Sequence, residues 1–346
     1  MDVTERKPVD PEIERIFSLF FDGKPVFADV LDTRDEDEDF RETVIVTAED
    51  GSKYVLKLAA NDFTFPEKIG MWARTISEYR ALGYYCPLII SDKTGGFPVI
   101  GYRGRDCAVY AEEYSKYSSL EDRMAGENER QADRIRYYRD IWTMTARIAA
   151  LKLDYTDYPS GYCLFKTFCP SEKIDEVLEN ALDWKAAAEA LPDEFSAQAQ
   201  RIWKLWRDNR EALEPLYALL PTSVFQADLN STNLLVDEEG RFMGVFDFNL
   251  CGKDVFINYL IREINDDFEE EIERIRQALR IARDHYTFSE EEKNAVLMLY
   301  RCLKPLWWTR VQDLIDAGND REAIRRCLDS VEHYLTEDID FRSCME

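Results

Sequence analysis

The chain has 346 residues, of which 45% are hydrophobic and 13% aromatic. That length and apolar content suit one large domain or two lobes with a sizeable core, and exclude a disordered chain. The formal net charge of −25 repels nucleic acid and anionic membranes, and would attract a cationic small molecule.

The N-terminal segment, MDVTERKPVDPEIERIF, has no basic stretch followed by an apolar run and a small-residue cleavage site, so no signal peptide is read there. Residues 10–20 predict a short helix with Ile13, Ile16, Phe17 and Phe20 on one face. Two β-rich runs, 43–47 and 54–58, flank Asp50-Gly51, a strong hairpin signal. A helix is expected over 67–82. Short strands follow at 87–90, 97–100 and 107–110, with a turn at Gly95-Gly96. The first third is therefore expected to be a small antiparallel sheet with one internal helix.

The pattern changes after about residue 115. Over 130–152, Ile135, Tyr138, Ile141, Trp142, Ile148 and Leu151 recur at helical spacing, which predicts a core helix. Residues 171–218 read as charged helices, 223–248 as a β-like island, and everything from about 254 onward as helices. Ser289 followed by Glu292 is a capping box that opens one of them. The acidic runs at 35–39 and 269–271 read as solvated loop or helix face. No apolar run is long enough to cross a bilayer. The eight cysteines are scattered, with no C-x-x-C pair, which argues against a zinc site or a disulfide framework and for reduced thiols in a cytoplasmic protein.

The chemistry concentrates in VFQADLNSTNLLVDEEGRFMGVFDFN, residues 224–249. Asp228 is followed five positions later by Asn233, then by an apolar run at 234–236, a Glu239-Gly240 turn, and a second run that delivers Asp247. Two short strands joined by a tight turn bring Asn233 and Asp247 together, with Asp228 in the loop before them. Phosphoryl transfer needs such a set: one carboxylate to orient the attacking hydroxyl and take its proton, and oxygen ligands to hold Mg²⁺ against the nucleotide phosphates. A histidine base nearby is excluded, because the two histidines, His285 and His333, lie far along the chain.

On these residues the sequence resembles the aminoglycoside phosphotransferase and choline kinase-like enzymes, relatives of the protein kinases. Their signature is H-G-D-x-x-x-x-N followed by I-D-F; this chain reads Gln226-Ala227-Asp228, then Asn233, then Phe246-Asp247-Phe248. The resemblance extends over most of the chain and is most specific in 224–252. It implies an α+β, two-lobed protein kinase-like fold. Residues 1–112 would form an N-terminal antiparallel-sheet lobe that binds nucleotide. Residues 113–346 would form a mainly helical C-terminal lobe that holds the catalytic loop and the substrate. It implies ATP or GTP and Mg²⁺ as cofactors, with Asp228 as the catalytic carboxylate and Asn233 and Asp247 as metal ligands. Lys57 would grip the α- and β-phosphates, and Glu78 in the following helix would pair with it. Glu112, Glu113 and Tyr114 fall where relatives have the hinge whose backbone receives the base.

The chain departs from the pattern in three places. His and Gly of the usual triplet are Gln226 and Ala227. The first hairpin, 26–42, has no glycine and carries five consecutive acids at 35–39, whereas a phosphate-cradling loop offers backbone amides. The Gly-Asp that follows the metal aspartate in relatives appears as Lys253-Asp254, one residue early, where Asp254 would brace the loop.

The implied activity is transfer of a γ-phosphate to a hydroxyl of a small, cationic acceptor such as an aminoglycoside or amino alcohol. In relatives the acceptor binds in the C-terminal lobe; there this chain carries Trp203, Trp206, Trp307 and Trp308 with the acids Asp266, Asp267, Glu269 and Glu270, and aromatic residues with acids suit an amine. A pseudokinase that binds nucleotide or a partner without chemistry is the main rival, favoured by Gln226-Ala227 and the acidic hairpin. Joint retention of Lys57, Asp228, Asn233 and Asp247 argues against it. A protein kinase is a weaker reading, since the glycine loop and an Ala-Pro-Glu sequence are missing. The sequence leaves the acceptor, the choice of ATP or GTP, and the oligomeric state open.

Overall fold

A computed structural model describes residues 9–32, 39–124 and 130–346. The acids at 35–38 lie outside the described residues. In chain order the elements are α1 (Pro11–Phe20), β1 (Pro25–Asp32), β2 (Phe40–Ala48), β3 (Lys53–Ala60), α2 (Pro66–Ala81), β4 (Ile89–Ile90), β5 (Val99–Tyr102) and β6 (Arg105–Glu113). Next come β7 (Ser118–Ser119), α3 (Leu120–Met124), α4 (Arg130–Ala150), α5 (Glu176–Glu189), α6 (Asp193–Tyr217), β8 (Thr222–Phe225), β9 (Leu234–Val236), β10 (Phe242–Val245) and β11 (Gly252–Val255). The chain ends in α7 (Phe256–Arg262), α8 (Phe268–Arg283), α9 (Glu290–Leu303), α10 (Trp308–Ala317) and α11 (Arg321–Thr336). The fold is thus α+β, with an antiparallel sheet in the N-terminal region and a mostly helical C-terminal part. It divides into two compact units, one of 1–130 with 169–171 and 228–249, the other of 131–168, 172–227 and 250–346.

In the first unit the main sheet runs β1-β2-β3-β6-β4, with β5 also on β6, and its pairs are antiparallel. Strand β2 alternates strictly between buried and half-buried residues, the period-2 signature of a strand with one covered face. Its covered face, Phe40, Val44 and Val46, packs with Leu56, Leu58, Cys107, Val109 and Ala111 beneath Ile13, Ile16, Phe17 and Phe20 of α1. Each large apolar side chain buried there contributes roughly 1.5–3 kcal/mol. Helix α1 forms because Asp10 caps Glu12 N–H at 2.9 Å and Pro11 presets the first turn. The opposite sheet face carries Arg41, Thr43, Lys57, Tyr110 and Glu112, and Trp72 of α2 meets Tyr110 edge-on at 6.1 Å. A second, three-stranded sheet, β10-β9-β7, belongs to the same unit.

The second unit is helical, with one antiparallel ribbon of β8 and β11. Tyr138, Ile141, Trp142 and Ile148 of α4 are buried as the spacing predicts, while Leu151 lies just past the helix end and is 41% exposed. The Ser289–Glu292 capping box is present. Strand β11 was not expected, since the sequence reads as helical from about 254. The acidic run at 269–271 also needs correction: Glu269 and Glu270 are exposed, but Glu271 is fully buried with Ile272 and Ile275 on the inner face of α8.

Candidate active site

The loop 226–233 carries the expected carboxylate and amide and folds on itself. Asn230 Nδ2 donates to both carboxylate oxygens of Asp228, at 2.8 and 3.0 Å, and Asn233 Nδ2 donates to Oδ2 at 2.9 Å. Asn230 Oδ1 in turn accepts from Thr232 N–H at 2.9 Å, an Asx turn that fixes the loop's bend. Asp228 is half-buried, and two side-chain amides aim it. Gln226 and Ala227, which stand in the usual His-Gly positions, are both buried.

Asp247 is brought in by sheet pairing. Leu234 of β9 faces Val245 of β10, and Phe246 N–H donates to the Asn233 carbonyl at 3.1 Å, so Asp247 lies one residue beyond that rung. Asp247 adopts a left-handed backbone, φ +57°, which aspartate tolerates better than most residues. Such conformations persist where the surroundings hold them. Here Phe248 supplies the hold: it is buried and meets Tyr79 of α2 edge-on at 5.5 Å. On the other side of β10, Gly244 lies against the backbone of Tyr85, where an added Cβ would come within 1.9 Å of the Tyr85 oxygen.

Lys57 Nζ lies 3.9 Å from Asp247 Oδ1, with the two side chains 21% and 31% exposed. Burial works against the Lys57 ammonium, but Asp247 and Glu112 outweigh it, with Arg41 opposing, and the pKa rises above the usual lysine value. The Glu112 carboxyl is pushed up, chiefly by burial, against the pull of Lys57. Lys57, Asp228, Asn233 and Asp247, two acids, an amide and a cation, all lie in the first unit.

Glu78 is placed differently from expectation. The inner face of α2 presents Lys68, Trp72, Thr75 and Tyr79, and Glu78 is half-buried off that face. Among the described residues, the ion pair of Lys57 is with Asp247 and not with Glu78. At the expected hinge, Glu113 is bound into the fold: its carboxylate accepts from Arg80 Nη1 at 2.9 Å and Leu88 N–H at 3.0 Å, and its own N–H donates to the Leu88 carbonyl. Tyr114 is 42% exposed, with Lys53 over its ring at 5.0 Å. Asp254 is a brace, within the second unit: buried, it accepts from Ser160 Oγ at 2.7 Å, Tyr217 OH at 2.9 Å and Asn258 Nδ2 at 3.1 Å.

Of the residues expected to meet the acceptor, Trp206 and Trp307 are core residues, the first donating to the Cys302 carbonyl at 3.0 Å. Asp266 pairs with Arg274 at 2.8 Å. Trp308, Asp267, Glu269 and Glu270 remain exposed. Sequence reasoning missed Asn230, although an asparagine two residues after Asp228 and two before Thr232 is an Asx-turn signal.

The family model "Phosphotransferase enzyme family" matches residues 33–290. No curated protein matches the chain. Among solved structures, amicoumacin kinase hAmiN, in complex with AMP-PNP, Ca²⁺ and Ami, aligns with a TM-score of 0.55 at 16% identity, covering 97% of this chain and 97% of that one. An aminoglycoside phosphotransferase from Alicyclobacillus acidocaldarius aligns with a TM-score of 0.51 at 9% identity, over 98% of this chain and 95% of that one. These two likenesses establish the fold, and the family match, spanning well over half the sequence, establishes the lineage: the chain belongs to the phosphotransferase enzyme family.

Proposed function

We propose that the protein transfers the γ-phosphate of ATP, with GTP as the alternative donor, to a hydroxyl of a small amine-bearing acceptor, with Asp228 as the catalytic carboxylate. The observation that carries this reading is the Asp228 carboxylate held by Asn230 and Asn233 in the unit that also holds Lys57 against Asp247. An alcohol does not ionise at neutral pH, so its proton must leave as the bond to phosphorus forms. A carboxylate at hydrogen-bond distance aims the hydroxyl and accepts that proton late in the reaction. Lys57 carries a cation suited to the α- and β-phosphates. The lobe of residues 1–112 takes the nucleotide, with the backbone of Glu112, Glu113 and Tyr114 as its adenine-side edge, and residues 113–346 take the acceptor.

Asn233 and Asp247 are the residues that would hold Mg²⁺. Asn233 turns its Nδ2 to Asp228, which leaves its Oδ1 on the far side of the amide, and the left-handed turn at Asp247 leaves that carboxylate part-exposed. Two hard oxygen donors suit an ion that keeps waters and phosphate oxygens in its shell. When bound, the ion would neutralise phosphate charge. The acidic surface and the exposed Trp308, Asp267, Glu269 and Glu270 favour a cationic acceptor. Among the described residues no helix is long and apolar enough to cross a membrane, and a cytoplasmic enzyme is the reading we adopt.

The test is a phosphorylation screen of aminoglycosides, amino alcohols, sugars and amines with Mg-ATP and Mg-GTP. With an accepted substrate in hand, Asp228→Asn should lower turnover by roughly 10²–10⁴-fold while nucleotide binding persists. Wild-type turnover in that variant would overturn the mechanism. Nucleotide binding without turnover of any acceptor would favour a pseudokinase.

A further inference from the structure

We propose that Glu112, on strand β6, is the positioning residue for Lys57, in the role that the helix glutamate Glu78 was expected to fill. The inference rests on the phosphotransferase reading of Lys57 and deepens it. Strand register carries it. Lys57 faces Tyr110 across the β3–β6 ladder, and Val55 faces Glu112. Facing residues share a sheet face, and so do residues two apart on one strand, so Lys57 and Glu112 are diagonal neighbours on the face that α2 covers. A diagonal of roughly 7–8 Å between backbones is within reach of two long side chains.

The residues around the pair remove the alternatives. The inner face of α2 offers Lys68, Trp72, Thr75 and Tyr79 to this side of the sheet, and none of these is acidic. The carboxylate of Glu113 is already committed to Arg80 and Leu88 N–H. Asp247 is the direct partner of Lys57, but a donor oxygen that serves a cation cannot give its full charge to the lysine as well. Glu112 is free of that competition. It places an acidic side chain diagonally across from a half-buried ammonium and is carried on a strand hydrogen-bonded to the strand of Lys57 itself. A helix-borne glutamate can swing away from the lysine with its helix, whereas a glutamate on the neighbouring strand stays in register with it.

The experiment is a double-mutant cycle read by nucleotide affinity. Dissociation constants for ATP and ADP are measured by calorimetry, with and without Mg²⁺, for the wild type and for Glu112→Gln, Glu112→Asp, Glu78→Gln, Lys57→Met and the Lys57→Met/Glu112→Gln double variant. Glutamine keeps the size of Glu112, and unchanged melting temperatures confirm folding. Glu112→Gln should weaken binding by roughly five- to tenfold, and only about twofold or less once Lys57 is gone, which is the coupling expected of side chains acting as a unit. Glu112→Asp should restore part of the loss, KM for nucleotide should rise more than kcat falls, and Glu78→Gln should match the wild type. The proposal is overturned if the losses from Glu112→Gln and Lys57→Met multiply independently, or if Glu78→Gln weakens binding as much as Glu112→Gln. Failure of the underlying reading looks different: Lys57→Met itself would then leave nucleotide affinity unchanged.

Discussion

Asp247 combines a charge with a backbone conformation, and the two can be separated by substitution. Asparagine tolerates the left-handed region as aspartate does, so Asp247→Asn should fold normally. It loses the one charged donor of the proposed pair, Asn233 being neutral, and the partner of Lys57 at 3.9 Å. The expected outcome is a raised Mg²⁺ requirement that extra Mg²⁺ partly relieves, measured as turnover against metal concentration; Asp228→Asn should show no such relief. Gly244 is constrained by space instead. Its φ is +157°, and a Cβ would meet the Tyr85 carbonyl oxygen at 1.9 Å, where backbone cannot yield as a flexible side chain can. Gly244→Ala should destabilise the protein by about 3 kcal/mol, in the range of a substitution that breaks a close backbone approach, as read by urea denaturation. The placement of Asp228, Asn233 and Asp247 on one loop and hairpin was legible because loop spacing and a two-strand turn are local signals. The contact of Gly244 with Tyr85 and the register that sets Glu112 beside Lys57 were not, because both join segments more than 50 residues apart and leave no mark in either segment alone.

Helices α7, α8 and α9 meet at a buried ion pair. Lys304, one residue past α9, is fully buried and donates to the carbonyls of Arg262, at 3.0 Å, and Ile264, the unsatisfied acceptors at the end of α7. Glu271 of α8 is also fully buried, 3.9 Å from Lys304 and 3.7 Å from Arg310. Burial is the main cause of the Lys304 shift, which lowers its pKa to about 8, and burial raises that of Glu271. Removing Lys304 leaves the buried Glu271 with Arg310 alone, so Lys304→Met should cost about 3 kcal/mol. The pH dependence has a definite sign. Between pH 8 and the ordinary lysine value of 10.5 the unfolded chain holds the Lys304 proton and the folded chain does not, so this group's contribution to stability rises with pH across that window. Denaturant melts from pH 7 to 10 should show that rise in the wild type and lose it in Lys304→Met. The hairpin at Asp50-Gly51, the α1 stripe and the Ser289 box were all visible in the sequence because each is written in adjacent residues. The burial of Glu271 was visible too, in phase: positions 271, 275, 278 and 282 form one helical stripe that the acidic character of 269–271 concealed.

The whole molecule carries 69 acids against 44 lysines and arginines, a surplus that acts at a distance and without regard to any one contact. Such a field concentrates cations near the surface and speeds their capture, and salt screens it over about 8–10 Å at ordinary ionic strength. It does nothing for a neutral acceptor, and it opposes the approach of a nucleotide polyanion, whose binding must then rest on local cations such as Lys57 and on a metal. Three salt dependences follow from one charge. For an amine-bearing acceptor, KM should rise on the order of tenfold as salt increases from 10 to about 300 mM at constant Mg²⁺. For a neutral polyol acceptor it should stay flat. For the nucleotide it should fall or hold, because screening removes the repulsion. Steady-state kinetics with a matched pair of acceptors, one amino alcohol and one polyol of similar size, makes the comparison within a single enzyme preparation. A KM for the amine that is insensitive to salt would mean that the surface charge takes no part in acceptor capture, and the case for a cationic substrate would then rest on contacts at the site alone.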